Sequence, residues 1–149
     1  MMRSVLFILF FLIGFAACTN SGQNEKVLKS FSEKVIERYP NGQPKKVKYF
    51  SDEDGKQIEK EEIGYYENGA VMLKGKYKNG LRDGLWQSWY QDGIQWTEGE
   101  YKNGRQNGRA SHWNEDGTLL YQGQYKNDAR IGTWKFYNKD GSFKKEITY

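Results

Sequence analysis

Few side chains in this 149-residue chain have the type and spacing to do chemistry. His112 is the sole histidine and Cys18 the sole cysteine. A single imidazole can serve as a base or a ligand only with partners placed around it. His112 aligns instead with Ser88 and Phe136 at a 24-residue step, so its column does not require an imidazole. The acidic clusters are Asp52-Glu53-Asp54-Gly55 and Glu59, Glu61 and Glu62 around Lys60. The first lacks the later ligands and terminal Glu of a calcium loop and reads as a solvated turn. No nucleophile elbow and no phosphate-binding loop is present. These residues predict a chain that is not an enzyme and holds no metal and no cofactor.

Two columns of residues suit binding better than catalysis. Lys78, Lys102 and Lys126 repeat every 24 residues, with Lys74 and Lys76 beside the first. A row of ammonium groups suits anionic lipid head groups or an anionic glycan, at ~1 kcal/mol for each Lys near such a surface. The same row would also serve simply to keep a sheet soluble and its edges unpaired. Trp86, Trp89, Trp96, Trp113 and Trp134 offer rings for a protein or glycan partner, or for the core of a thin sheet. The net charge of +4 is too mild to suggest nucleic acid.

The elements that would position these residues follow from tandem repetition. Gly69, Gly93, Gly117 and Gly141 are 24 apart, as are Gly75, Gly99 and Gly123, and as are Tyr77, Tyr101 and Tyr125. Such a ladder indicates one small unit duplicated in series. Ten glycines follow Asn or Asp, a pairing that favours the positive φ of type I′ hairpin turns. Strands are expected near 70–78, 85–90, 94–102, 109–114, 118–126, 133–138 and 142–148. Gly75 and Tyr77 share a face, and an aromatic ring from the next strand can lie across the glycine. Trp86 and Trp89 fall on opposite faces unless a bulge intervenes. Ala110 stands where Trp86 and Trp134 stand in the neighbouring units. The chain holds 5 Trp, 11 Tyr and 8 Phe, so aromatic rings lying on a sheet must replace a conventional aliphatic core.

Tyr-Lys-Asn-Gly at 77–80 and 101–104, followed by Gly84-Leu85-Trp86 and Gly132-Thr133-Trp134, resembles the MORN-repeat variant family of bacterial proteins. The resemblance covers residues 39–149. It implies an all-β fold: an elongated single-layer antiparallel sheet of tandem β-hairpins. Members are described as membrane-associated or protein-binding scaffolds, and a subset is labelled as antitoxins.

The N-terminus carries a different signal. Arg3 precedes an apolar run from Val5 to Ala17, shorter than the ~20 residues a spanning helix needs. Phe15-Ala16-Ala17-Cys18 resembles the lipobox of bacterial lipoproteins, which implies cleavage before Cys18 and lipid attachment to it. Residues 1–17 are then the signal peptide, and 18–33 the lipidated cysteine and tether, with a short helix expected over 27–33. Residues 34–64 read as degenerate N-terminal repeats and 65–149 as full ones. Thr19 after the cysteine resembles the pattern of lipoproteins sent to the outer membrane. Together these readings give a lipid-anchored scaffold of the bacterial cell envelope that binds a protein partner. The alternatives are an antitoxin or immunity protein that binds a toxin, and a module that binds a membrane surface or glycan.

Overall fold

The computed structural model describes residues 31–149; Cys18, the signal peptide and the first part of the tether lie outside the described residues. Among the described residues, ten strands form one antiparallel sheet in strict sequence order. They are β1 (Phe31–Arg38), β2 (Pro44–Glu53), β3 (Lys56–Tyr65), β4 (Val71–Lys78), β5 (Leu81–Trp89), β6 (Gln95–Lys102), β7 (Arg105–Trp113), β8 (Leu119–Lys126), β9 (Ala129–Tyr137) and β10 (Phe143–Thr148). The fold is all-β, one open sheet of hairpins, as the repeat columns imply. At ~4.8 Å between neighbouring strands, the sheet extends roughly 43 Å from β1 to β10.

The two ends of the hairpins use different turns. Asp54-Gly55, Asn79-Gly80 and Asn103-Gly104 have positive φ at both central residues, the type I′ geometry whose twist matches paired strands. Asn127-Asp128 adopts the same conformation without glycine, with φ of 51° and 70°. At the opposite ends the turns are longer. Gly69 N donates to Tyr66 O at 2.9 Å, and Tyr66 N donates to Ala70 O at 2.8 Å. Here only the glycine has positive φ, and the Asn68 side chain accepts from Ala70 N at 3.0 Å. The type I′ expectation therefore fails for Gly42, Gly69, Gly93, Gly117 and Gly141, which close wider turns.

Two further expectations are corrected. Strands β5, β7 and β9 begin at 81, 105 and 129, four residues before the expected starts. Gly84 and Gly108 follow Asp and Asn, yet they lie inside strands, pairing with Tyr101 and Tyr125. Between β4 and β5 the register advances from Gly75↔Trp86 to Tyr77↔Arg82, so β5 bulges around Gly84. Asp-Gly supplies positive φ for a bulge as readily as for a turn. The helix expected over 27–33 is also absent in its described part: Phe31, Ser32 and Glu33 pair with Ser51, Phe50 and Tyr49. A weak helical spacing this short cannot nucleate against an available strand partner.

Alternation divides the sheet into two faces. One carries Gly75, Tyr77, Trp86, Gly99, Tyr101, Ala110, Gly123, Tyr125 and Trp134, and most of the small core lies on it; Val47, 2% exposed, belongs to the other face, in the row Val47↔Ile63↔Lys74. Trp134 and Trp86 are 0% and 3% exposed. The other carries Lys74, Lys76, Lys78, Glu98, Glu100, Lys102 and Lys126.

Candidate functional site

The aromatic face is built by a repeated packing unit. A Cβ on Gly75 would lie 2.1 Å from Cδ2 of Trp86, and one on Gly123 would lie 2.2 Å from Cδ2 of Trp134. Glycine is thus required where the indole lies flat across the strand, as the sequence pattern anticipates. Tyr77 meets Trp86 edge-on at 5.2 Å between centroids, and Tyr125 meets Trp134 likewise at 4.9 Å. The Arg82 guanidinium sits 4.0 Å from the Trp86 ring centroid, and that of Arg130 4.6 Å from Trp134. Indole Nε1–H donates to Lys76 O at 3.0 Å in the first case and to Gln124 O at 3.2 Å in the second. Each ring therefore has a floor, an edge contact, a cation above and a satisfied N–H.

Of the five tryptophans singled out from sequence, Trp86 and Trp134 are core, and their rings are spoken for. Trp89 and Trp113 are half-buried strand ends whose carbonyls accept from Tyr66 OH at 2.8 Å and Tyr90 OH at 3.0 Å. Trp96 is the exposed one, at 40%. It packs against Tyr90 at 5.7 Å and His112 at 5.9 Å. Trp96 Nε1–H donates to His112 Nε2 at 3.2 Å, and Tyr121 OH lies 3.4 Å from Nδ1. His112 also stacks on Tyr121, with centroids 5.0 Å apart. Partial burial holds the imidazole below its ordinary pKa and therefore neutral near pH 7. His112 is a link in an aromatic chain that runs from Tyr90 through Trp96 and Tyr121 to Trp134 and Phe136.

Lys78, Lys102 and Lys126 are exposed, each beside a type I′ turn and on the face opposite Tyr77, Tyr101 and Tyr125. None of the three takes part in the ion pairs formed among the described residues. Among the described residues no group of three or more His, Cys, Asp or Glu side chains is arranged to hold a metal ion.

Three features escaped the sequence reading. The Arg82 and Arg130 guanidinium groups over the indoles stand 48 residues apart, two steps of the repeat with Gln106 between them, and that spacing was the available signal. Tyrosines at the wide turns tie each hairpin to the next: Tyr39 OH donates to Tyr65 O at 2.9 Å, and Tyr66 and Tyr90 continue the series. The series stops at Asn114, whose amide bonds Thr118 in its own turn at 2.9 Å. Third, Glu62 is buried at 6% exposure, 3.6 Å from Lys48 Nζ and 3.3 Å from Tyr77 OH. Glu62 stands in the tryptophan column, 24 residues before Trp86.

An open sheet of tandem hairpins in strict sequence order, built from one repeated packing unit, defines a β-repeat protein. A family model for the MORN repeat variant matches residues 58–79, 82–103 and 106–127, three units in tandem. The pattern seen in the sequence and the matched family agree on the repeat. No curated protein sequence matches the chain.

Proposed function

We propose that this chain is a non-enzymatic repeat scaffold of the bacterial cell envelope, anchored through lipid on Cys18, which presents its aromatic face to a protein partner. The observation that supports this most is the one-layer construction. A single sheet has no second layer to cover its rings, and Trp96, with Tyr90 and His112 around it, is 40% exposed. The lipid would fix the chain at a membrane and the sheet would carry recognition. Affinity capture from envelope extracts, with crosslinking, tests the reading: wild type beside Cys18→Ala and Trp96→Ala. One protein recovered in stoichiometric amount with wild type and lost with Trp96→Ala supports it. Recovery unchanged by Trp96→Ala removes the aromatic face from the interface. If the protein recovered is a toxin, the immunity reading follows.

The second reading, binding of an anionic lipid or glycan, rests on the exposed row of Lys78, Lys102 and Lys126 beside one set of turns. It requires salt-sensitive binding to anionic vesicles that is lost when all three are changed to Glu.

A further inference from the structure

One row of residues crosses the aromatic face from strand to strand: Glu62, Gly75, Trp86, Gly99, Ala110, Gly123. Trp134 follows, lying over Gly123. Trp86 leans the same way, over Gly75. Gly99 and Ala110 therefore have no indole over them; both are buried, at the base of a narrow gap that the Tyr101 ring borders. Nothing comes closer to an imagined Cβ on Gly99 than the Tyr101 ring edge, at 3.5 Å.

Most of the surroundings of an indole are nevertheless present there. Tyr101 matches Tyr77 and Tyr125 by the 24-residue step, and its ring meets Trp86 edge-on with centroids 6.3 Å apart. The carbonyl matching those of Lys76 and Gln124 is that of Glu100. Gln106 replaces the arginine, but the Arg82 guanidinium reaches in from the neighbouring unit, 5.5 Å from the Tyr101 ring. A cavity of about 270 Å³ opens at this point, lined by Trp86, Gly99, Tyr101, Ala110, Tyr121 and Tyr125 among others. The volume exceeds the ~150 Å³ that holds benzene in an enclosed apolar cavity, and Thr97, Gln106 and Glu98 add polar groups to this lining.

We propose that the gap over Gly99 and Ala110 is a binding slot for an indole-sized planar aromatic ring supplied from outside the chain. The ring would lie over Gly99 as Trp86 lies over Gly75, its edge on Tyr101 and its face toward the cation of Arg82. The molecule itself states the ligand chemistry, because it fills the matching positions twice with tryptophan. The inference stands apart from the anchoring and partner readings. A free small aromatic and the tryptophan side chain of a polypeptide present the same ring.

Titration of indole into the full-length chain, with its tryptophans ¹⁵N-labelled, tests the slot. A saturable shift of the Trp86 Nε1–H resonance is expected, larger than any at Trp89 or Trp113. Ala110→Trp places the chain's own ring in the slot and should weaken indole binding by at least about tenfold, readable as the change in Kd. If that variant does not give a dispersed, folded spectrum, Ala110→Leu partly fills the same floor and is expected to weaken binding in the same direction. The tripeptide Gly-Trp-Gly forms the second arm. Binding of indole alone assigns the slot to a small molecule, and comparable binding of the tripeptide assigns it to a side chain; both uphold the slot. No saturable shift with either probe overturns the proposal, as does indole binding left unchanged in a folded Ala110→Trp or Ala110→Leu variant.

Discussion

Glu62 and Trp134 occupy the same column of the repeat, 72 residues apart, and solve the same packing problem with opposite chemistry. Trp134 is wholly buried among Gly123, Tyr125 and the Arg130 guanidinium. Glu62 is a buried carboxylate held by Lys48 and the Tyr77 hydroxyl, while Lys48 also binds Glu59 at 2.8 Å and lies 5.4 Å from the Tyr77 ring centroid. The difference teaches what this sheet requires of each unit. It needs a side chain whose polar atoms find partners: an indole over Gly123 whose N–H bonds Gln124 O, or a carboxylate beside Gly75 held by Lys48 and the Tyr77 hydroxyl. It does not need one residue type. Toward the N-terminus the filler is ionic; toward the C-terminus it is a ring; at Ala110 it is absent.

The ring end of that comparison should be the costlier to break. Trp134→Ala removes a wholly buried indole from above Gly123 and is expected to cost about 3–5 kcal/mol in urea unfolding. A loss under ~1 kcal/mol would mean that the ring is replaceable by collapse of Tyr121 and Tyr125, and the comparison would fail. Glu62→Ala should cost less, about 1–3 kcal/mol, because it orphans the Tyr77 hydroxyl but leaves Lys48 paired with Glu59. A double-mutant cycle with Lys48→Ala checks the ionic end directly, since residues sharing one network couple measurably. Strict additivity of the two changes would show that Lys48 and Glu62 are neighbours only in distance.

The empty position sharpens the contrast in the other direction. Ala110→Trp restores the ring that the neighbouring units carry, above a glycine already in place. It should raise stability by about 0.5–2 kcal/mol, the usual gain from filling a cavity, read as a higher midpoint in thermal unfolding. A destabilised variant would mean that Tyr101 and Tyr121 have closed over Gly99 and that the unit has settled into a different packing.

The ring end was legible in the sequence and the ionic end was not. Gly75 two residues before Tyr77, with Trp86 across the hairpin, announces a ring over a glycine because only glycine leaves that gap. The substitution at Ala110 was visible as a break in the column. Glu62 was hidden for a specific reason: its partner Lys48 lies before residue 65, where the step changes and Tyr39 pairs with Tyr65 at an interval of 26 residues. Without the register, nothing placed Lys48 beside Glu62. The bulges at Gly84 and Gly108 were misread as turns because Asp-Gly and Asn-Gly permit both, and only cross-strand pairing decides between them. Trp96 looked no different from the other tryptophans, since exposure on a one-layer sheet depends on which rings neighbouring strands cover.

The smallest expected effect concerns the link between the two aromatic environments, at His112. Because Trp96 Nε1–H donates to Nε2, the neutral ring carries its proton on Nδ1, toward the Tyr121 hydroxyl. Burial holds the folded pKa below the ordinary value, so between that value and the folded one the unfolded chain binds the proton and the folded chain resists it. Stability from this group is complete above about pH 6.5 and is lost as pH falls through the lower folded pKa. Carboxylates titrate mainly near pH 4, so the interval between about pH 7 and pH 5.5 isolates the histidine. His112→Phe installs the residue that the same column carries at Phe136, where the ring already packs against Tyr121 at 6.0 Å. Unfolding midpoints of wild type should decline across that interval while those of His112→Phe stay flat, with Trp96 emission shifting in wild type as its acceptor is protonated. Parallel profiles would show that the imidazole titrates in the folded state as it does in water, and that the Trp96–His112 hydrogen bond does not hold the aromatic chain together.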